Sequence, residues 1–386
     1  MSFTRKLKVA VICDQTEIHG GRERVVCDLC NELSAFCDVY LINLWKNPCA
    51  YTLCEKVHKV YLHDRKKRLR YMLWGSVRKL RRFLKEENIN VILCDGLSAV
   101  LEIFLVTRGL PVKVLYREHT GIKIWKQRAH SGNKRNLYYQ RTLRFIVKRY
   151  IATIVVLTEG EFQNYRKIMN ISLNKIMVIP NFMNEELFRD AVEYDVNSHA
   201  IITVGRIDYQ KGYEYLIEVA KKVFDRYPDW HWDIYGGDGK DEYVKHIRDL
   251  ISGNGLENHV FLKGICNHVY DMYPKYGVYV MTSRHEGLPT VLLEAKAKKL
   301  PLVSFDIESG PADIIRDGID GYLVSPFDTD TMAEKICYLI EHPEVRKDFS
   351  DHTYENIDKF RKETILAKWK DLIEGMMGEK DESEST

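Results

Sequence analysis

The sequence predicts an α/β protein built from two Rossmann-like, doubly wound parallel-sheet domains. Three observations carry this. Short apolar runs alternate with longer helix-like segments from one end of the chain to the other, the pattern of repeated strand–helix–strand units. The runs are apolar without clean alternation, as strands covered on both faces require. The 386 residues exceed one ordinary domain, at about 100–200 residues each. Apolar residues make up 45% and charged residues 29%. That composition supports sizeable cores and excludes disordered, collagen-like and disulfide-scaffold classes.

The elements follow in order. First-half strand candidates are Lys8–Cys13, Cys37–Asn43, Val91–Cys94, Val112–Tyr116, Thr153–Leu157 and Lys175–Ile179. Second-half candidates are Ala200–Val204, Trp232–Tyr235, Val260–Lys263, Val278–Thr282, Leu302–Phe305 and Tyr322–Val324. Helical patterns between them include Arg22–Ala35, Tyr213–Phe224, Asp241–Ser252 and Asp330–Glu341. The stretch from Pro180 to Ser198 is polar, and Ala200 starts a new strand. The expected domains are therefore residues 1–190 and 191–361. A final helix, 362–377, follows as Lys362–Met376 and its end, and 378–386 reads as a disordered tail. Two such domains leave a ligand cleft where the carboxyl ends of their strands face each other.

No segment reaches about 18 clean apolar residues. Ile92–Val106 is broken by Asp95 and Glu102, and Phe145–Leu157 by Lys148 and Arg149. The run Val9–Cys13 ends at Asp14, too short for a signal peptide and better suited to a buried strand. Nine scattered cysteines read as reduced thiols in the cytoplasm.

Net charge is +3, but residues 1–190 carry +16, leaving −13 for the remainder. Such asymmetry supports two domains and an acidic partner for the first. Asp64–Lys85 holds ten basic residues and one acid, with Tyr71, Trp74 and Phe83 among them. Gly121–Tyr150 holds nine basic residues and no acid, with Trp125, Tyr138, Tyr139, Phe145 and Tyr150. A basic, aromatic face suits an anionic membrane surface. No nucleic-acid module accompanies it. The plainer alternative is a solvated basic face.

Three motifs sit where strands give way to helices. Gly20-Gly21 follows the first strand and opens a helix, where backbone can approach an anion. Its spacing is not GxGxxG, which disfavours a nicotinamide cofactor. The second is Val204-Gly205-Arg206-Ile207-Asp208-Tyr209-Gln210-Lys211-Gly212. Arg206 grips phosphate bidentately and Lys211 adds a mobile point charge; a solvated loop is the alternative. The third is Glu286-Gly287-Leu288-Pro289-Thr290-Val291, then Glu294. Pro289 suits the first helical position, leaving the Thr290 and Val291 amides for a phosphate. Glu294 then lies roughly 8 Å down the axis at ~1.5 Å per residue. Two carboxylates so spaced suit sugar hydroxyls on either side of a diphosphate. The alternative is an acid beside a helix dipole plus an ordinary helix glutamate.

Together these residues resemble the retaining GT-B glycosyltransferases of family 4. The likeness continues through Leu300–Asp306, Gly310–Ile315 and Asp317–Val324, and in pieces through Arg117-Glu118-His119, Val156–Glu159 and Ile179–Asn181. Glu-Gly-Leu-Pro-Thr looks like the capsule, O-antigen and exopolysaccharide enzymes, whereas sucrose and glycogen synthases commonly carry Glu-Gly-Phe-Gly. The resemblance implies two Rossmann-like domains facing a cleft, a UDP-sugar donor on the second and a glycan acceptor, on a polyprenyl diphosphate lipid, on the first. It implies that Arg206 and Lys211 neutralise the donor diphosphate, Glu286 orients the sugar and Glu294 binds the ribose. Gly20, Gly21, Gly287, Leu288, Pro289, Thr290 and Val291 would hold phosphate, Lys263, Gly264 and Ile265 would face the base, and His119 would contact the sugar. It implies a cytoplasmic enzyme peripheral on the inner face of the membrane, with a hexose or N-acetylhexosamine transferred. Same-fold and other-class alternatives are a sugar-nucleotide epimerase and a non-catalytic binding subunit.

No metal is expected, since Arg, Lys and helix ends supply the positive charge. Asp328-Thr329-Asp330 is an Asp-x-Asp, but Asp330 reads as the cap of a helix over 331–341. Cys27-Asp28-Leu29-Cys30 lies inside a helix with no second pair, so neither zinc nor redox chemistry is expected.

Overall fold

The computed structural model describes residues 6–13, 16, 21–46, 48–64, 69–96, 100–119, 134–188, 193–266 and 268–378. Gly20, Trp125 and the tail beyond residue 378 lie outside the described residues. Contacts divide the chain into two compact units, with breaks at Asn181/Phe182 and Thr364/Ile365.

In the first unit, β1 (Leu7–Cys13), α1 (Gly21–Leu33), β2 (Cys37–Trp45), β3 (Val57–His63), α2 (Leu69–Glu86), β4 (Val91–Asp95) and α3 (Val100–Thr107) come first. Then follow β5 (Lys113–Arg117), α4 (Lys134–Tyr150), β6 (Thr153–Val156), α5 (Glu159–Met169) and β7 (Ile176–Val178). The strands form one sheet in the order β3-β2-β1-β4-β5-β6-β7, and the pairs are parallel, Val9 lying against both Val39 and Val91. α1 buries Val26, Cys27, Leu29, Cys30 and Leu33, the i, i+3, i+4 stripe of a helix lying on a sheet. β3 has no counterpart among the expected strands. It is an edge strand, Val-His-Lys-Val-Tyr-Leu-His, mostly half-buried, so it lacks the apolar run that betrays a central strand.

In the second unit, β8 (Ala200–Val204), α6 (Tyr213–Phe224), β9 (His231–Tyr235), α7 (Asp241–Gly253), β10 (Val260–Gly264), β11 (Val278–Met281) and α8 (Thr290–Ala297) come first. Then follow β12 (Leu302–Phe305), α9 (Pro311–Ile314), β13 (Gly321–Val324), α10 (Thr329–Glu341) and α11 (Pro343–His352). The sheet order is β10-β9-β8-β11-β12-β13. Its core joins Ile201, Trp232, Ile234 and Val280 to Leu216, Ile247 and Ile336 from the helices.

The first break lies ahead of the 190/191 boundary read from the sequence. Met183 N–H donates to Phe360 O over 2.9 Å, and the Arg361 guanidinium lies 3.5 Å from the Phe188 ring centroid. These contacts tie 182–188 to the second unit although the stretch is polar. The last helix, α12 (Lys362–Gly378), belongs with the first unit from Ile365 onward. Its Trp369 is buried, with the Arg117 guanidinium 5.8 Å from the ring centroid.

Both sheets change strand direction of succession once. In the first the reversal lies between β1 and β4, in the second between β8 and β11. Open α/β sheets bind ligands outside the carboxyl ends of strands at these points.

Candidate active site

In the second unit, β8 runs into Gly205-Arg206 and a tight turn, Tyr209–Lys211, capped by the Asp208 side chain. Gly212 ends that turn at φ +65°, and a Cβ there would meet Thr282 O at 2.4 Å. Only glycine lets the turn close against the end of β11. The closure brings Lys211 to Glu286: Nζ lies 2.7 Å from Oε1. Glu286 also accepts from Ser283 Oγ (2.8 Å) and Gln210 Nε2 (3.3 Å), and its side chain is only 9% exposed. Arg284 fixes the turn from outside. Its NH1 donates to Tyr209 O (2.6 Å) and its guanidinium lies 3.9 Å from the Tyr209 ring centroid. Arg206 is exposed and paired with Asp208 (2.7 Å). The sequence singled out Arg206, Lys211 and Glu286; Gln210, Ser283 and Arg284 emerge only from the fold.

Pro289 does not stand inside the helix as its first residue. It is the half-extended residue before α8, φ −74° and ψ 92°, and Gly310 packs so closely against its ring that a Cβ there would lie 2.4 Å from Pro289 Cδ. Thr290 and Val291 therefore head α8, where no earlier turn exists to receive their amides. Gly287 O accepts from Ser309 Oγ (3.0 Å), which fixes the preceding turn, and Leu288 is buried. Glu294, a turn into α8, accepts from Tyr273 OH (3.0 Å). Burial first, and Glu294 second, push that phenol well above its ordinary value. Gly264 ends β10 at φ +72°, and Ile265 beyond it is exposed.

In the first unit, His119 sits two residues past β5. Its Nε2 lies 2.5 Å from Oδ1 of Asp95, the last residue of β4. Arg22, in the first turn of α1, donates from Nε to Asp95 Oδ2 (2.9 Å) and from NH2 to the Asp95 carbonyl. Buried Arg117 brings NH1 to 3.9 Å from the same carboxylate and donates to Asn181 Oδ1 (2.5 Å). Burial alone would raise the Asp95 pKa, but His119, Arg22 and Arg117 override it and hold the carboxyl below the usual carboxylate range. Glu118 accepts from the hydroxyls of Tyr116 and Tyr165, both at 2.6 Å, and from the His119 amide (2.9 Å). Gly21 begins α1, one residue ahead of Arg22. Asp95 was read only as a break in an apolar run. The available signal was a carboxylate ending an apolar run, with Gly96 next.

The Asp-x-Asp is a helix start of another kind than expected. α10 begins at Thr329, and its cap is Asp328, not Asp330: Asp328 accepts from the Thr331 amide (3.0 Å) and hydroxyl (2.7 Å). Asp330, the second residue of α10, pairs with Lys222 at 2.7 Å. Cys27 and Cys30 are buried on α1, and burial pushes both thiols up. Among the described residues no group of three or more His, Cys, Asp or Glu side chains is arranged to hold a metal ion.

A family model described as Glycosyltransferase Family 4 matches residues 19–187, and one described as Glycosyl transferases group 1 matches 184–356. A poly(ribitol-phosphate) alpha-N-acetylglucosaminyltransferase of Staphylococcus aureus is 28% identical over 323 residues, 82% of this chain. The chain spans 62% of that relative's length. The amylovoran biosynthesis glycosyltransferase AmsD of Erwinia amylovora is 27% identical over 95% of this chain and 99% of its own. Among solved structures, HepE of Anabaena in complex with UDP superposes with a TM-score of 0.80 at 17% identity, over 96% of this chain and all of the other.

Proposed function

Because the chain belongs to the family 4 glycosyltransferases of the GT-B fold, among relatives that build bacterial surface polysaccharides, we propose that it moves a hexose or N-acetylhexosamine from a UDP-sugar, with retention, onto a glycan carried by a polyprenyl diphosphate lipid. The observation that supports this most is the Lys211–Glu286 pair at the β8/β11 switch point. The bond to break joins the anomeric carbon to the diphosphate, whose leaving oxygen takes the electron pair. Lys211 and Arg206 meet that growing charge. Glu286, held by Ser283 and Gln210, keeps the ammonium oriented and accepts from the sugar hydroxyls. Glu294 takes the ribose, the amides heading α8 take phosphate, and Gly264 and Ile265 flank the base. These cations and amides suffice for the diphosphate, so the reading calls for no divalent metal.

In the first unit, His119 is the side chain proposed to meet a sugar, and the Gly21 backbone, at the head of α1, a phosphate. Asp95, Arg22 and Arg117 act through His119 by fixing its ring, and are positioning residues. The basic surface of the first unit docks on an anionic membrane. Phe145 is 59% exposed and Tyr150 packs on Phe104 at 4.5 Å, on the helix that also carries Arg141, Arg144, Lys148 and Arg149. Basic residues near such a surface contribute about 1 kcal/mol each. The same charge suits a polyanionic acceptor such as the poly(ribitol phosphate) for which the S. aureus relative is named.

The test is thermal stability against UDP-, GDP- and ADP-sugars in EDTA. A native-state ligand raises the melting point by mass action. A shift with one UDP-sugar supports the donor; no shift with any removes it. Co-sedimentation with vesicles rich in anionic lipid, against zwitterionic vesicles, tests the docking face, and equal binding to both refutes it.

A further inference from the structure

At the amino ends of β9 and β10, away from the loops just described, the second unit holds a pocket of about 350 Å³. Asp229, His231, Asp233, His259, Phe261 and Lys263 are among the residues that line it. β10 is the edge of its sheet, so Phe261 and Lys263 stand on a sheet face that no further strand extends. Asp233 and Phe261 are register partners on neighbouring strands. From His231 to the end of β9 the chain rises roughly 13 Å at ~3.3 Å per residue, which separates the mouth of this pocket from the β8–α6 loop.

Asp233 is the unusual group. Its side chain is 8% exposed. Oδ2 accepts from Tyr276 OH (2.7 Å) and lies 3.4 Å from Lys263 Nζ. Oδ1 is buried and has no hydrogen-bond partner among the described residues. A buried carboxylate oxygen without a donor is costly, and buried unpaired groups in native folds call for a partner. Beside it, Phe261 is 37% exposed, edge-on to His231 at 6.1 Å, with Lys263 Nζ 5.8 Å from its ring centroid. Lys263 is engaged with Asp233, and Asp229 with His199 at 2.8 Å. The pocket therefore offers no free cation for a phosphate, and its acids and imidazoles do not converge as a metal-holding group. What remains is an acceptor seeking hydroxyl or amide donors next to an exposed apolar ring. A neutral sugar ring supplies both, donors at its rim and C–H groups on its face. At about 30 Å³ per water, the volume equals roughly twelve waters, room for one or two sugar rings.

We propose that this pocket is a second carbohydrate-binding site, which holds a neutral sugar unit of a glycan through Asp233 and Phe261. Its lining adjoins the proposed base site at Lys263, the residue before Gly264, but it does not depend on the proposed donor chemistry.

The experiment is saturation-transfer NMR on the full chain with methyl α-glucoside, methyl α-galactoside and methyl N-acetyl-α-glucosaminide, each with and without excess UDP. The expected result is saturation of one of these sugars that persists with UDP present. Affinity should fall about tenfold or more in Asp233→Asn, which keeps the side chain's shape while changing the acceptor, and likewise in Phe261→Ala at a half-exposed position. Circular dichroism and melting point should stay near those of the parent in both. Absence of saturation by all three sugars, displacement by UDP, or unchanged affinity in both folded variants would overturn the proposal.

Discussion

Asp95→Asn isolates the electrostatic centre of the first unit. The substitution preserves shape but removes the charge that faces His119 at 2.5 Å, Arg22 at 2.9 Å and Arg117 at 3.9 Å. Asp95 is fully buried and Arg117 is 2% exposed, so at least one cation is left in low dielectric without its counter-charge. Breaking a buried pair in this way costs about 3–5 kcal/mol. At about 2–4 °C per kcal/mol for a unit of this size, the melting point should fall by roughly 6–20 °C. The assay is urea denaturation with calorimetry at neutral pH, repeated on acidification. The Asp95 pKa is depressed by folding, so its contribution is present above the unfolded carboxyl value of about 3.9 and is lost as pH falls through the folded one. The parent should lose stability on acidification below about pH 4, and the variant should show a shallower loss. A cost below about 1 kcal/mol, or identical acid limbs, would refute the idea that these cations depend on Asp95.

Lys296→Met tests the second unit's buried pair, Lys296 with Asp320 at 2.8 Å and both side chains fully buried. Because Arg316 still holds Asp320 at 2.8 Å, the loss should sit near the low end, about 3 kcal/mol, read by urea denaturation. Thr158→Ala removes the side-chain cap of α5, whose hydroxyl accepts from the Glu161 amide at 3.2 Å; about 1 kcal/mol should be lost. Arg284→Lys keeps charge but loses the planar stack on Tyr209. It should loosen the Lys211 turn and lower turnover without unfolding the protein, by activity and circular dichroism.

Much of this was legible in the sequence because the relevant signals are local. Buried parallel strands advertise themselves as apolar runs, and α6, Tyr213–Phe224, has the bounds its periodicity predicts. Edge strand β3 was invisible because its half-exposed face admits His58, Lys59 and Tyr61. Pro289 and Asp330 were each misplaced at a helix start, since a cap depends on which side chain reaches which amide. The second-unit site lay in two short motifs. The first-unit site did not, because Asp95, Arg22 and Arg117 come from three separate elements and meet only at the β1/β4 switch point. The pocket at Asp233 had no sequence signal at all: an aspartate in an apolar strand looks like any interruption until its unpaired oxygen is seen.

The most direct measurement is release of UDP from UDP-sugars in EDTA, with water as the default acceptor, by the parent, Lys211→Ala and Glu286→Gln. The parent should release UDP from at least one donor, and each variant should show a fall of about 10²–10³ with the fold unchanged by circular dichroism. Release at the parental rate by either folded variant would contradict the assignment of the Lys211–Glu286 pair as the centre that breaks the glycosyl bond.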